Sequence, residues 1–131
     1  MGDRGNIGII QPEGAVFLYT HWGGSNVKQV TAQALAESGG CDDAYFTRIA
    51  MNVLQGDQRG VKGFGINVGS PVDNEYDIPI VYWEDGKPVV EMLPCSSWRE
   101  WVTFEQWGPG FAHRHTAEEF ISLYLPVGAV R

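Results

Sequence analysis

The chain has few cysteines, few basic residues and no long apolar run, and each shortage excludes a class of protein. Only two of its 131 residues are cysteines, and no stretch approaches the roughly 20 apolar residues that a membrane helix needs. The N-terminus lacks the pattern of a secretory signal peptide. We therefore expect a soluble cytoplasmic protein that does not enter membranes, with Cys41 and Cys95 as free thiols rather than as a disulfide.

Basic residues are also scarce. Nine Lys and Arg residues stand against sixteen Asp and Glu residues, which gives a formal net charge of −7. Such a chain repels phosphate backbones, so nucleic acid is not an expected partner. The excess of acidic residues either keeps the protein soluble or forms an acidic face that docks on a basic partner, and the sequence leaves both interpretations open.

The composition is that of a globular protein. Hydrophobic residues make up 44% of the chain, and 131 residues suffice for one core but not for two ordinary domains. We therefore predict a single domain over residues 1–131.

Hydrophobic periodicity and turn residues predict nine elements. Alternation marks strands, spacings of three and four residues mark helices, and Gly, Pro and Asp mark the ends. Residues 98–107 fit either a strand or a helix, and we choose a strand. The predicted strands are 5–10, 15–22, 63–68, 77–83, 87–93 and 98–107, and the predicted helices begin near Ser25 or Asn26, Asp42 or Asp43, and Thr116. Glu84-Asp85-Gly86 is a predicted hairpin turn, residues 116–119 form a predicted capping box, and Pro126 should end the last helix.

The predicted order is ββααββββα, which favours an α+β fold. Because the strands cluster and the helices do not alternate with them, we expect a mostly antiparallel sheet with the helices packed on one face. The strand over 15–22 is apolar on both sides and should lie inside the sheet. Pro79 indicates that its own strand lies at an edge, or that the missing N–H faces outward.

The segment from Tyr19 to Ser25 is the most unusual in the chain, because it leaves a strand and enters a helix through two glycines. The N-terminus of a helix exposes free N–H groups that could bind an anion, with His21 and Trp22 beside it. The alternative is a tight turn with a capping serine and no ligand. The candidate ligand-binding residues are Tyr19, His21, Trp22, Gly23, Gly24 and Ser25.

His113 and His115 form a second candidate site. On an extended segment, side chains two residues apart point the same way and could share a metal ion. The alternative is a solvated loop before the last helix. The third ligand would come from among His21, Asp42, Asp43, Asp73 and Glu75.

The remaining motifs are weak, and no cofactor is expected. The glycine-rich stretch 56–69 lacks the Lys-Ser/Thr of a phosphate-binding loop, and Ser25 lacks the Gly-x-Ser-x-Gly context of a nucleophile. No catalytic residue can therefore be assigned.

Four sequence blocks carry a resemblance. They are Met-Gly-x-Arg-x-x-Ile at the start, Tyr-Thr-His-Trp-Gly-Gly at 19–24, Gly-Phe-Gly-Ile at 63–66 and Asp-Asn-Glu-Tyr at 73–76. Over about residues 1–93, the chain resembles a family of small uncharacterised proteins of bacteria and their phages. The resemblance implies a bacterial or phage setting inside the cell and implies no activity.

Two functions compete at this point. The first is a non-catalytic binding protein, such as a phage or mobile-element product that inhibits or sequesters a host component. Its partner would be a protein or a small anionic ligand, and it could also form a homodimer. The second is a small hydrolase that uses His21 with His113 or His115, with or without a metal ion.

Overall fold

The computed structural model describes residues 2–58, 60, 62–71, 73–94, 110 and 112–125. These residues form six strands, three α-helices and one short 3₁₀ turn at Gly24–Asn26. In chain order, the elements are β1 (Gly5–Gln11), β2 (Gly14–Thr20), α1 (Val27–Ser38), α2 (Asp43–Gln55), β3 (Phe64–Val68), β4 (Ile78–Glu84), β5 (Lys87–Leu93), β6 (Arg114–Thr116) and α3 (Ala117–Tyr124).

The six strands form one sheet in the order β3-β2-β1-β4-β5-β6. Every neighbouring pair is antiparallel except β1 and β4, which run parallel. The α+β class and the order ββααββββα are therefore confirmed. The interior position of β2, between β3 and β1, is confirmed as well.

One face of the sheet is covered by all three helices. Ile7, Ile9 and Leu18 point from the sheet into this layer, where they meet Phe46 of α2 and Phe120 of α3. All five side chains are fully buried. Burial of this apolar surface is the main force that holds the helices on the sheet.

The opposite face carries a second apolar cluster, which includes Phe17, Ile78, Ile80 and Leu93. Gly8 lies beneath it, and a Cβ there would come within 2.6 Å of the side chain of Ile80. Both faces of β2 are therefore buried, since its successive side chains enter different clusters.

Several predicted element ends are confirmed. Asp42 caps α2 by accepting from the amide of Tyr45, and Thr116 and Glu119 form the capping box of α3. Asp85 and Gly86 join β4 to β5 with positive φ at both positions, as a tight hairpin requires.

Three predictions need correction or lie outside the described residues. Of the two alternatives for Pro79, the edge strand is wrong, because β4 lies between β1 and β5. The proline precedes the two paired positions of the parallel ladder, which begins at Ile80. The sixth strand is β6, in the segment for which a solvated loop was the alternative. The predicted strand 98–107, Cys95 and the helix stop at Pro126 lie outside the described residues.

Cys41 is half-buried and carries a free thiol, as expected. Among the described residues, no helix is both long enough and apolar enough to cross a bilayer.

Candidate functional site

Four separate segments of the chain meet at the end of the β1–β2 hairpin where β2 finishes. The N–H of Asp3 donates to the carbonyl of His21 (2.8 Å), and the N–H of His21 donates to the carbonyl of Gly63 (2.8 Å). The N–H of Glu75 donates to the carbonyl of Arg4 (3.1 Å). We call this region, residues 2–4, 19–25, 63 and 73–76, the His21 corner.

Three aromatic side chains are fixed in the His21 corner. The hydroxyl of Tyr19 and Nδ1 of His21 share a hydrogen bond of 2.7 Å, and burial raises the pKa of Tyr19. The indole of Trp22 contacts the imidazole edge to face, with ring centroids 4.4 Å apart. Trp22 nevertheless keeps 57% of its surface exposed, so the corner presents an indole to solvent.

Gly63 packs closely against the indole of Trp22. A Cβ at this position would lie 2.9 Å from Nε1 of Trp22, and the residue has a φ of +111°. Only glycine combines this backbone conformation with so close an approach. The sequence placed Gly63 in a strand and gave no indication of its contact with Trp22.

The amide groups that the sequence indicated as an anion site already have acceptors within the protein. All N–H groups of residues 22–26 donate to other groups of the chain. Thr20 Oγ1 accepts from Gly23 (3.0 Å), and the carboxylate of Asp3 accepts from both the amide (3.1 Å) and the hydroxyl (2.7 Å) of Ser25. The prediction of unpaired amides is therefore wrong, because a carboxylate of the chain itself takes the anion's place.

Ser25 consequently has a different role from the one expected. Neither Ser25 nor the N-cap residue Asn26 caps α1 through its side chain. Instead, Asp3 reaches this end of the helix, and hydrogen bonds from Ser25 and Tyr76 lower the pKa of its carboxyl group. Asp3 was missed because no local motif connects it to a helix that begins more than twenty residues later.

A groove of about 270 Å³ lies beside this helix start. Glu75 and Asp77 line it together with Lys28, whose ammonium group lies 5.1 Å from the ring centroid of Tyr124. Glu75 is paired with the guanidinium of Arg4 at 2.6 Å, so the negative charge at this groove is partly neutralised. The small anionic ligand that the sequence suggested stays a prediction.

His113 and His115 lie side by side, with ring centroids 4.6 Å apart, as two residues on one side of an extended segment should. Within the described residues, however, no three His, Cys, Asp or Glu side chains come together in a way that could hold a metal ion. The predicted metal site at His113 and His115 therefore has no third ligand in that part of the chain.

His21 does not join the other two histidines. It follows β2, whereas His115 lies on β6, and β1, β4 and β5 intervene. Four steps across a sheet at about 4.8 Å each place β2 and β6 about 19 Å apart. The alternative hydrolase, which uses His21 with His113 or His115, needs these side chains in one pocket, and this requirement is not met.

Comparison with known proteins gives no further guide. No protein-family model matches the chain, and neither a curated protein nor a solved structure matches it.

Proposed function

We propose that this protein is a non-catalytic binding protein of the cytoplasm and that Trp22 is the centre of its binding surface. In the bacterial or phage setting that the resemblance implies, it would inhibit or sequester a protein of the host. The proposal rests on the indole of Trp22, which is 57% exposed and yet contacts the imidazole of His21 and packs close to Gly63.

An exposed indole is costly in water and valuable in an interface. Tryptophan is enriched among the few residues that supply most of the binding energy of protein complexes, where its loss costs about 2 kcal/mol or more. Trp22 is also pre-organised, because His21 and Gly63 restrict the ring before any partner arrives. Little conformational entropy remains to be lost on binding.

The charges around Trp22 indicate the kind of surface that the partner offers. Asp73 is 67% exposed and ion-pairs with Arg4 at 3.8 Å, and Glu75 binds the same guanidinium at 2.6 Å. Asp3 adds a further carboxylate at the same corner. This acidic rim, on a chain of net charge −7, favours a partner with an apolar pocket bordered by basic residues.

The histidine-dependent hydrolase has less support. Its residues are divided between distant strands, and the described residues contain no assembled metal-ligand set. His21 itself is bonded to Tyr19, with no carboxylate among its hydrogen-bond partners in the described residues. This arrangement fixes the ring that supports Trp22, and among the described residues it lacks the third group that orients the base of a hydrolytic triad.

Site-specific photo-crosslinking tests the proposal. A photoreactive phenylalanine analogue would replace Trp22 in one variant and Tyr45 in another, and each would be exposed to lysate of the source cell. Tyr45 is a matched control, since it is 62% exposed and lies near the far end of the β1–β2 hairpin, where Gln11 bonds to Thr47. We expect one discrete crosslinked protein from position 22 alone. Equal crosslinking from both positions, or none from either, would contradict the proposal.

A further inference from the structure

Within the part of the chain that the structure describes, the outer side of β3 is an open sheet edge. β3 is the first strand in the sheet order, and no other strand of the described residues pairs with that side. Two hydrogen bonds show which residues of this segment direct their backbone groups toward β2. The N–H of Gly69 donates to the carbonyl of Ala15 (2.9 Å), and the N–H of His21 donates to the carbonyl of Gly63 (2.8 Å).

These two bonds also determine which backbone groups of β3 face away from β2. In an antiparallel ladder, successive residues direct their N–H and C=O groups alternately to one neighbour and to the other. The backbone N–H and C=O groups that face β2 are those of residues 63, 65, 67 and 69. Phe64, Ile66 and Val68 therefore present three N–H and three C=O groups at the open edge.

The same three residues carry the apolar side chains of the strand. They lie opposite Thr20, Leu18 and Val16 and so share the helix-covered face of the sheet. Among the described residues, the helices make their larger contacts with β1, β4, β5 and β6. Phe64 of β3 is half-buried, whereas the other two apolar side chains of the strand are exposed. Ile66 is 58% exposed and Val68 is 80% exposed.

The edge has none of the features that usually prevent strand pairing. Its sequence, Phe-Gly-Ile-Asn-Val, contains no charged residue and no proline. Its register with β2 runs without a bulge over all five residues. A regular, uncharged and apolar edge is a template for another strand.

We propose that a second copy of this chain occupies the edge, through two-fold antiparallel pairing of β3 with β3 centred on Ile66. Only this register sets all three outward-facing residues against outward-facing residues. Ile66 then lies opposite Ile66 of the second copy, and Phe64 lies opposite Val68. The pairing makes six backbone hydrogen bonds and joins two six-stranded sheets into one.

The self-complementarity of the strand is the reason to choose a second copy over another partner. A two-fold axis through Ile66 brings apolar side chains against apolar side chains on one face, and Gly65 against Asn67 on the other. No like charges meet within the paired strands, although each chain carries −7 overall. The remaining long-range repulsion is screened by salt, so dimerisation should strengthen as ionic strength rises.

Sedimentation velocity of the full chain tests the inference. At about 50 µM and physiological salt, we expect a species with twice the 14.5 kDa mass of one chain. Ile66→Lys should shift it to the monomer, whereas Leu123→Lys, at a side chain of the same 58% exposure on α3, should leave the dimer intact. A monomeric wild type, a dimeric Ile66→Lys or a monomeric Leu123→Lys would each overturn the inference.

A charge-swap experiment tests the register itself. Ile66→Lys and Ile66→Glu should each be monomeric alone, because like charges then face each other across the axis. An equimolar mixture should form a heterodimer, since the axis places the lysine against the glutamate. Circular dichroism of both variants checks that they fold, and a folded mixture that stays monomeric would overturn the Ile66-centred register. The inference is independent of Trp22, so its failure would leave the proposed function untouched.

Discussion

At the scale of single residues, Glu91 is the side chain that sequence reasoning missed most completely. It lies on β5 with 1% of its surface exposed, and its carboxylate accepts from the hydroxyl of Tyr82 and from the amides of Gly110 (2.7 Å) and Ala112 (2.8 Å). Burial, and then the bond to Glu91, raise the pKa of Tyr82 far above its usual range. A buried carboxylate with three donors ties the chain before β6 to the sheet.

Replacement of Glu91 should therefore be costly. Glu91→Gln puts an NH₂ group against at least one buried donor and removes the charge, so we expect a loss of about 2–3 kcal/mol in the free energy of unfolding. Tyr82→Phe removes one neutral donor and should cost about 1–2 kcal/mol. Urea denaturation followed by circular dichroism measures both. A Glu91→Gln protein as stable as the wild type would refute this role.

Asp3 should give the protein an acid-sensitive contact. Hydrogen bonds from Ser25, followed by one from Tyr76, lower its pKa below the ordinary 3.8. A group whose pKa is lowered by folding stabilises the protein above its unfolded pKa, and this contribution disappears as the pH falls through the folded pKa. Asp3→Asn should therefore lower the Tm at pH 7, and the difference from wild type should shrink below about pH 4. A difference that stays constant down to pH 2 would contradict this linkage.

At the scale of elements, local chemistry determined what the sequence could predict. The cap at Asp42, the capping box at Thr116 and the Asp85-Gly86 turn depend on residues within one turn of the chain, and all three are confirmed. β6 and the interior position of Pro79 depend instead on pairing with distant strands. No local pattern encodes such pairing, so these two features were not predicted.

The two glycines before α1, Gly23 and Gly24, should differ in how much stability is lost when each is replaced by alanine. A Cβ on Gly24 would lie 2.5 Å from the carbonyl carbon of Arg4, so Gly24→Ala must push β1 away from the helix start. Gly23 has a φ of −123°, and a Cβ there would meet nothing closer than 3.4 Å. We expect Gly24→Ala to cost about 2–3 kcal/mol and Gly23→Ala less than about 0.5 kcal/mol. Thermal unfolding measures both, and equal effects would show that close packing is not the reason for Gly24.

At the scale of the whole molecule, the parallel pairing of β1 with β4 decides which residues can act together. It places β4, β5 and β6 on one side of the β1–β2 hairpin, and with them His113 and His115, far from His21. The same topology brings the segment 73–76 back to Arg4 at the His21 corner. The sequence identified the aromatic residues of this corner, but the segments that surround them come together only through the sheet order.

The binding role of Trp22 is the central claim, and one comparison tests it most directly. Isothermal titration of the protein captured at position 22 would be carried out with wild type, Trp22→Ala and Tyr45→Ala. Loss of a central indole should weaken binding by at least about 30-fold, equivalent to about 2 kcal/mol, whereas loss of Tyr45 should change the affinity by less than about three-fold. Wild-type affinity in Trp22→Ala would contradict the claim.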